Sequence, residues 1–203
     1  MKKLFSARSF LAAASFSLLA LVACNDGSTE NNNGSDTTAT TGDMNTGSTT
    51  DTSGNMHAMA ALSGTKADTT LSGTAHFTQN GTMVKMKLDI EVPKKANSSV
   101  AIHFHAMGDC GDMGKHAGGH WNPTNENHGK WGTAPFHSGD IGNINLDANG
   151  KGSIEVESDR WSIGGDSTKN ILNKTIIIHS GVDDYKSQPT GNSGERIGCG
   201  VIK

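Results

Sequence analysis

The chain has 203 residues, with 17 basic and 20 acidic side chains and a formal net charge of −3, a length that suits one domain of ordinary size. Setting aside Lys2, Lys3 and Arg8 of the first segment leaves 14 basic against 20 acidic side chains, a formal −6, which excludes nucleic acid as a natural partner. No segment reads as a catalytic nucleophile, a phosphate loop or a nucleotide site.

Residues 1–23 carry those three cations, then the apolar run Phe10 to Ala23, and lead into Leu21-Val22-Ala23-Cys24. This reads as an export signal, too short to span a membrane as a stable helix. Its end resembles a bacterial lipobox, which implies removal of the preceding segment and acylation of Cys24 as the first mature residue. An uncleaved signal and plain secretion are the other readings. Residues 24–55 follow, and between Asn25 and Asn55 only Ala39 and Met44 are apolar. So little apolar surface cannot offset chain entropy, so the tract reads as a disordered tether with a reach of roughly 30 Å. The expected location is the bacterial cell envelope, with the chain lipid-anchored to a membrane and facing the periplasm or the cell surface.

The folded domain is expected over 56–203, where the periodicity is two. Val84, Met86, Leu88 and Ile90 alternate with Lys85, Lys87, Asp89 and Glu91, so this strand buries one face and wets the other. Strands are predicted near 57–63, 69–78, 82–92, 99–106, 141–147, 152–158, 173–180 and 197–202. Asn80-Gly81 and Asn149-Gly150 are read as hairpin turns. No segment has a convincing amphipathic helical pattern. The fold class expected is all-β: an eight-stranded antiparallel Greek-key sandwich or flattened barrel with two long functional loops, 107–138 and 181–195.

With Cys24 acylated, Cys110 and Cys199 remain, and one disulfide is the economical reading in an oxidising compartment. Two buried free thiols are the alternative. His103-Phe104-His105 on a strand places two imidazoles on one face, about 6.6 Å apart at Cα. Such a pair can grip a metal or be mere polar surface. The order that continues through His120, His128, His137, Asp140 and His179 reads as a two-metal cage, and imidazole suits copper and zinc.

Ala101-Ile102-His103-Phe104-His105-Ala106-Met107-Gly108-Asp109-Cys110 and Gly191-Asn192-Ser193-Gly194-Glu195-Arg196-Ile197-Gly198-Cys199-Gly200-Val201-Ile202 resemble signatures of copper/zinc superoxide dismutases, bacterial periplasmic type, here in lipoprotein form. Gly118-Gly119-His120-Trp121-Asn122-Pro123, His128-Gly129 and His137-Ser138-Gly139-Asp140 are similar to that family's zinc loop, and the likeness runs over about 57–203. It implies a copper ion on His103, His105, His120 and His179, and a zinc ion on His120, His128, His137 and Asp140, with His120 shared. It implies Arg196 as the cation that draws superoxide to the copper face, a surface ion pair being the duller reading. It also implies that the Cys110–Cys199 disulfide fastens the loop after His105 to the strand of Arg196.

By the same resemblance Asp183 links a copper ligand to a zinc ligand, an ordinary loop carboxylate being the alternative, and Thr190 narrows the channel opposite Arg196. The short stretch Asp184-Tyr185-Lys186-Ser187-Gln188-Pro189 lacks the charged run of eukaryotic relatives, so Lys186 is the one added candidate for guiding the anion, weighed against a solvated side chain. Of the remaining histidines, His76 is expected on a wet strand face, and His116 has no assigned role. His57 with Met56 and Met59 would capture Cu(I) for delivery or simply begin a strand. The reaction implied is dismutation of superoxide. The alternatives are a copper- and zinc-binding envelope lipoprotein without turnover and an inactive structural relative, which would lack a ligand. Alternation does not locate a subunit interface, so a monomer and a homodimer both fit.

Overall fold

The computed structural model describes residues 48–203; the segment expected to be an export signal, Cys24 and the expected tether as far as residue 47 lie outside the described residues. In chain order the strands are β1 (Thr49–Thr50), β2 (Met56–Gly64), β3 (Ser72–Asn80), β4 (Met83–Glu91), β5 (Ser99–His105), β6 (Asp140–Asn145), β7 (Lys151–Ser158), β8 (Thr175–His179) and β9 (Arg196–Val201). Two short 3-10 turns, Pro93–Lys95 and Lys115–Ala117, are the only helical elements among the described residues. All eight expected strands are present. β1 is an addition: it pairs with β2 through Thr49–His57 and Thr50–Met56, so residues 49–55, expected in the tether, belong to a hairpin. Asp51 is the cause, because its Oδ1 accepts the backbone N–H groups of Ser53 and Asn55 and closes the turn.

The sheet runs β6-β5-β8-β9-β2-β3-β4-β7, antiparallel at every pairing. The chain crosses from one half of this order to the other between β4 and β5, from end to end between β6 and β7, and back between β7 and β8, giving a Greek-key barrel that is open along one seam. Asn80 and Met83 face each other at the end of β3 and β4, with Gly81 at φ +57° in the turn between. That hairpin is as expected. The turn at Asn149-Gly150 is not a hairpin between paired strands: β6 pairs with β5 and β7 with β4. The turn is real, since Gly150 N–H donates to Asp147 O at 3.0 Å, but the two strands leave it for opposite ends of the sheet. Turn chemistry fixes a reversal of direction and leaves the partner strand open.

Alternation builds the core. Val84, Met86, Leu88 and Ile90 are buried inside the barrel, where they meet Ala75, Phe77, Phe104, Ile176 and Ile178. Each fully buried Leu, Ile or Phe contributes about 1.5–3 kcal/mol. Phe104 sits between Phe77 and Trp161, with ring centroids at 5.9 and 5.0 Å. A third long connection, 159–174, carries no signal in the sequence, yet it delivers Trp161, Ile163 and Ile171 to the same core. Trp161 also donates its indole N–H to Ser138 O at 2.8 Å, which ties the core to the loop carrying His137.

Candidate metal centre

His103 and His105 flank core-facing Phe104 and so project from the outer face of β5, yet both are fully buried. The loops 106–139 and 180–195 cover that face. His120 is brought beside His105 by a single antiparallel bridge between the two residues, with Ala106 N–H on Gly119 O and Trp121 N–H on Phe104 O. Two register shifts complete the set. Ile102 pairs with Gly142 and His103 with Asp140, so the extra residue Ile141 sets Asp140 opposite a histidine. Ile178 pairs with Gly198 and His179 with Arg196, so the extra residue Ile197 does the same for Arg196. Bulges of this kind re-aim side chains beside functional sites.

On one side of His120, the ligand nitrogens of His103, His105, His120 and His179 all lie within 4.8 Å of one another. Each ring has one anchored nitrogen. His103 Nε2 lies 2.8 Å from Asp183 Oδ2, His105 Nδ1 2.8 Å from Gly118 O, His120 Nδ1 2.9 Å from Asp140 Oδ1, and His179 Nδ1 3.3 Å from Gly194 O. The opposite nitrogens, His103 Nδ1 and Nε2 of His105, His120 and His179, are buried with no partner. An unpaired buried nitrogen is costly, and four of them converging suit a metal that takes imidazole. Burial also keeps the rings neutral, pushing His105 down to about 2, His179 to about 3 and His120 to about 4, and lowering His103.

On the other side, Asp140 Oδ1 lies 2.9, 3.0 and 3.0 Å from the Nδ1 atoms of His120, His128 and His137. Its Oδ2 accepts the backbone N–H groups of Gly129 at 3.1 Å and His137 at 2.8 Å. These three contacts to one carboxylate oxygen are near the edge length of a tetrahedron with bonds of about 2 Å, which is how zinc takes nitrogen and carboxylate oxygen. The donors that all lie within 4.8 Å of one another on this side are, however, those of His103, His120, His128 and Asp140, with His137 joined through Asp140. His128 Nδ1 is close to Asp140 but out of line for a hydrogen bond. Burial opposes charge on both, yet the carboxylates of Asp140 and Asp183 raise His128 to about 9, and the surrounding imidazoles hold Asp140 far below its usual range. The pocket therefore calls for a cation among these atoms. His103 stands in that group where His137 was expected, but its Nε2 is held by Asp183 and its unpartnered Nδ1 is among the four nitrogens that converge on the first side.

Asp183 spans the two sides, with Oδ2 on His103 and Oδ1 2.9 Å from His128 Nε2. Asn143 and Gln188 support it, and nothing in the sequence marks either one. The Asn143 amide donates to Asp183 O at 2.9 Å and accepts Asp183 N–H at 2.7 Å, while Gln188 brackets the backbone of His128 through His128 N–H and O, both at 2.9 Å. An amide that clamps backbone leaves no spacing signal to find.

Arg196 reaches Gly114 O at 2.5 Å, Lys115 O at 3.4 Å and Gly118 O at 2.6 Å. Gly118 O also meets His105 Nδ1, so one carbonyl joins the guanidinium to an imidazole of the four-histidine group. The Cys110–Cys199 disulfide is formed and ties the loop bearing those carbonyls to β9. Thr190 is partly exposed, and its carbonyl accepts the Ser193 hydroxyl at 2.9 Å. Lys186 is exposed and makes no ion pair among the described residues. His76 is exposed, as expected, and so is His116, which lies 3.2 Å from Asp109.

An antiparallel β-barrel with two adjoining donor cages that share one imidazole defines a binuclear metalloprotein. The family described as copper/zinc superoxide dismutase (SODC) matches residues 71–202. Superoxide dismutase (Cu-Zn) 1 of Aquifex aeolicus (strain VF5) is 34% identical over 130 residues, 62% of this chain and 75% of that protein. Superoxide dismutase (Cu-Zn) of Kluyveromyces lactis is 34% identical over 154 residues, 72% and 96% of the two chains. The crystal structure of the clock protein EA4 is similar with a TM-score of 0.63 and 30% identity, covering 72% of this chain and 92% of that one. The chain belongs to the copper/zinc superoxide dismutase family.

Proposed function

We infer that the domain is a superoxide dismutase in which His103, His105, His120 and His179 hold copper and His120, His128, His137 and Asp140 hold zinc. Two superoxide ions and two protons give one oxygen and one hydrogen peroxide. The observation that carries the assignment is that four imidazoles each have one nitrogen anchored and the other buried, unpartnered and turned toward a common point. Copper held by those four histidines would supply a one-electron redox centre that serves both halves of the reaction. His120 presents Nε2 to one cage and Nδ1 to the other, a role that requires both ring protons to be absent, and Nε2 is the atom that can hold a proton for peroxide. Asp183 fixes the rings of His103 and His128, as carboxylates do for ligating histidines. Arg196 keeps its charge, attracts a small anion and orients it, with Thr190 as the facing wall of the channel and Lys186 as an outlying cation. His120→Ala should lose bound copper, weaken zinc and abolish superoxide consumption, read by metal analysis beside the activity assay. Full activity in that variant would overturn the assignment.

The cationic start, the apolar run and Cys24 support export and lipid anchorage in a bacterial envelope. Radiolabelled palmitate should enter the unaltered chain and be absent from Cys24→Ser. Equal labelling of both would sink the anchor.

A further inference from the structure

Outside the two cages, nitrogen and sulfur donors gather on the outer face of β2 and β3. Burial of Ala58 and Ala60 on β2 and of Ala75 and Phe77 on β3 turns His57, Met59 and His76 the other way. The register sets Met59 directly opposite His76 and places His57 two residues along β2, opposite Thr78. Opposed residues on one face have Cβ atoms about 5 Å apart and diagonal ones about 7 Å, within reach of long side chains. All three line one cavity of about 690 Å³ that also touches Cys110 and Cys199.

His57 is already oriented. Its Nε2 lies 3.1 Å from Asp51 Oδ2, and its Nδ1 is directed across to β3, 3.2 Å from Thr78 Oγ1. Asp51 is fixed in turn, accepting from the backbone N–H groups of Ser53 and Asn55 and from the Asn55 amide at 3.1 Å. A carboxylate on one imidazole nitrogen is how metal-ligating histidines are held, and Nδ1, which here accepts from the Thr78 hydroxyl, is the nitrogen that would exchange that hydroxyl for an ion. Met59 leaves 39% of its surface exposed, so the core does not account for its thioether. The His76 ring makes no hydrogen bond among the described residues, its backbone being taken up in the β3 ladder. Lys87, opposite His76 on β4, lies 3.6 Å from Asp89.

We propose that His57, Met59 and His76 form a third metal site on this face, which takes Cu(I). Two imidazoles with a soft thioether favour copper over zinc, and the reduced ion above all. Asp51 orients His57 without being a ligand. The test uses enzyme already loaded with copper and zinc, titrated without oxygen with Cu(I) against bicinchoninate. One further equivalent should bind, at least tenfold more weakly in Met59→Leu and not at all in the double variant His57→Ala with His76→Ala. X-ray absorption of the added copper should show a sulfur neighbour that Met59→Leu removes. Superoxide consumption should be the same in all three proteins, since none of the altered side chains belongs to the cages. The proposal fails if the unaltered enzyme takes no further equivalent, or if either variant binds it with unchanged affinity.

Discussion

Arg196 has two tasks that pull on the same guanidinium. Its N–H groups hold the carbonyls of Gly114, Lys115 and Gly118, and in the proposed function its charge is what draws the incoming anion. Arg196→Lys keeps the charge but lacks the planar fork that spans several carbonyls, while Arg196→Ala loses both. Superoxide consumption should fall about tenfold in the alanine variant, the low end of what a focused charge contributes to association, with the lysine variant between and copper and zinc content unchanged in both. The fall should shrink as ionic strength rises. Equal rates for all three proteins at every salt concentration would remove Arg196 from substrate guidance. Arg196 stands out in the sequence only through the family resemblance, whereas the histidines and Asp140 that the fold gathers were legible because imidazoles and a carboxylate in this order suit little besides a pair of metal ions. Asn143 and Gln188 were not, since an amide holding backbone depends on what folds against it.

At the scale of elements, alternation in β4 and the His103-Phe104-His105 triplet were readable because each strand buries one face. The two bulges were invisible: whether His103 faces Asp140 or Ile141, and His179 faces Arg196 or Ile197, depends on one extra residue in the neighbouring strand. The order of strands was equally hidden at Asn149-Gly150, whose turn serves two strands that never pair. Element pairing also gives the disulfide its consequence. Cys199 sits three residues after Arg196 on β9, and Cys110 begins the loop that offers Arg196 its carbonyls, so the bond holds donor and acceptors in one piece. Replacing both cysteines by serine frees a loop of 89 residues and should cost about 4 kcal/mol in the chain-entropy picture. Urea unfolding of the metal-loaded protein measures this. Activity should be lost at a lower urea concentration than the strand signal, because the Arg196 cradle loosens before the barrel opens. Coincident loss of both in the doubly substituted protein would argue against that local loosening.

Across the whole molecule, the buried imidazoles make stability depend on pH when the metals are stripped away. His105, His179 and His120 titrate near 6.5 in an unfolded chain but at about 2, 3 and 4 in the folded one, chiefly because burial penalises their charge. Between pH 6.5 and about 4 the unfolded chain therefore binds protons that the folded domain refuses. Stability must fall as the solution is acidified through that window, by about 1.4 kcal/mol per pH unit for each such proton. His128 acts at the other end: although burial opposes its charge, the carboxylates of Asp140 and Asp183 raise it to about 9, so its contribution is whole below 6.5 and disappears as pH rises through 9. The metal-free domain should accordingly be most stable between these limits and lose stability steeply on the acid side, where three rings act together. Urea midpoints of chelator-treated protein at pH 7.5, 6 and 5 should drop in that order. Metal-loaded protein should show a shallower acid slope down to the pH at which its ions are released, because ions that bind only the folded, neutral rings add their binding free energy to the folded state. A flat profile for the stripped protein would mean that these histidines are not held neutral by burial.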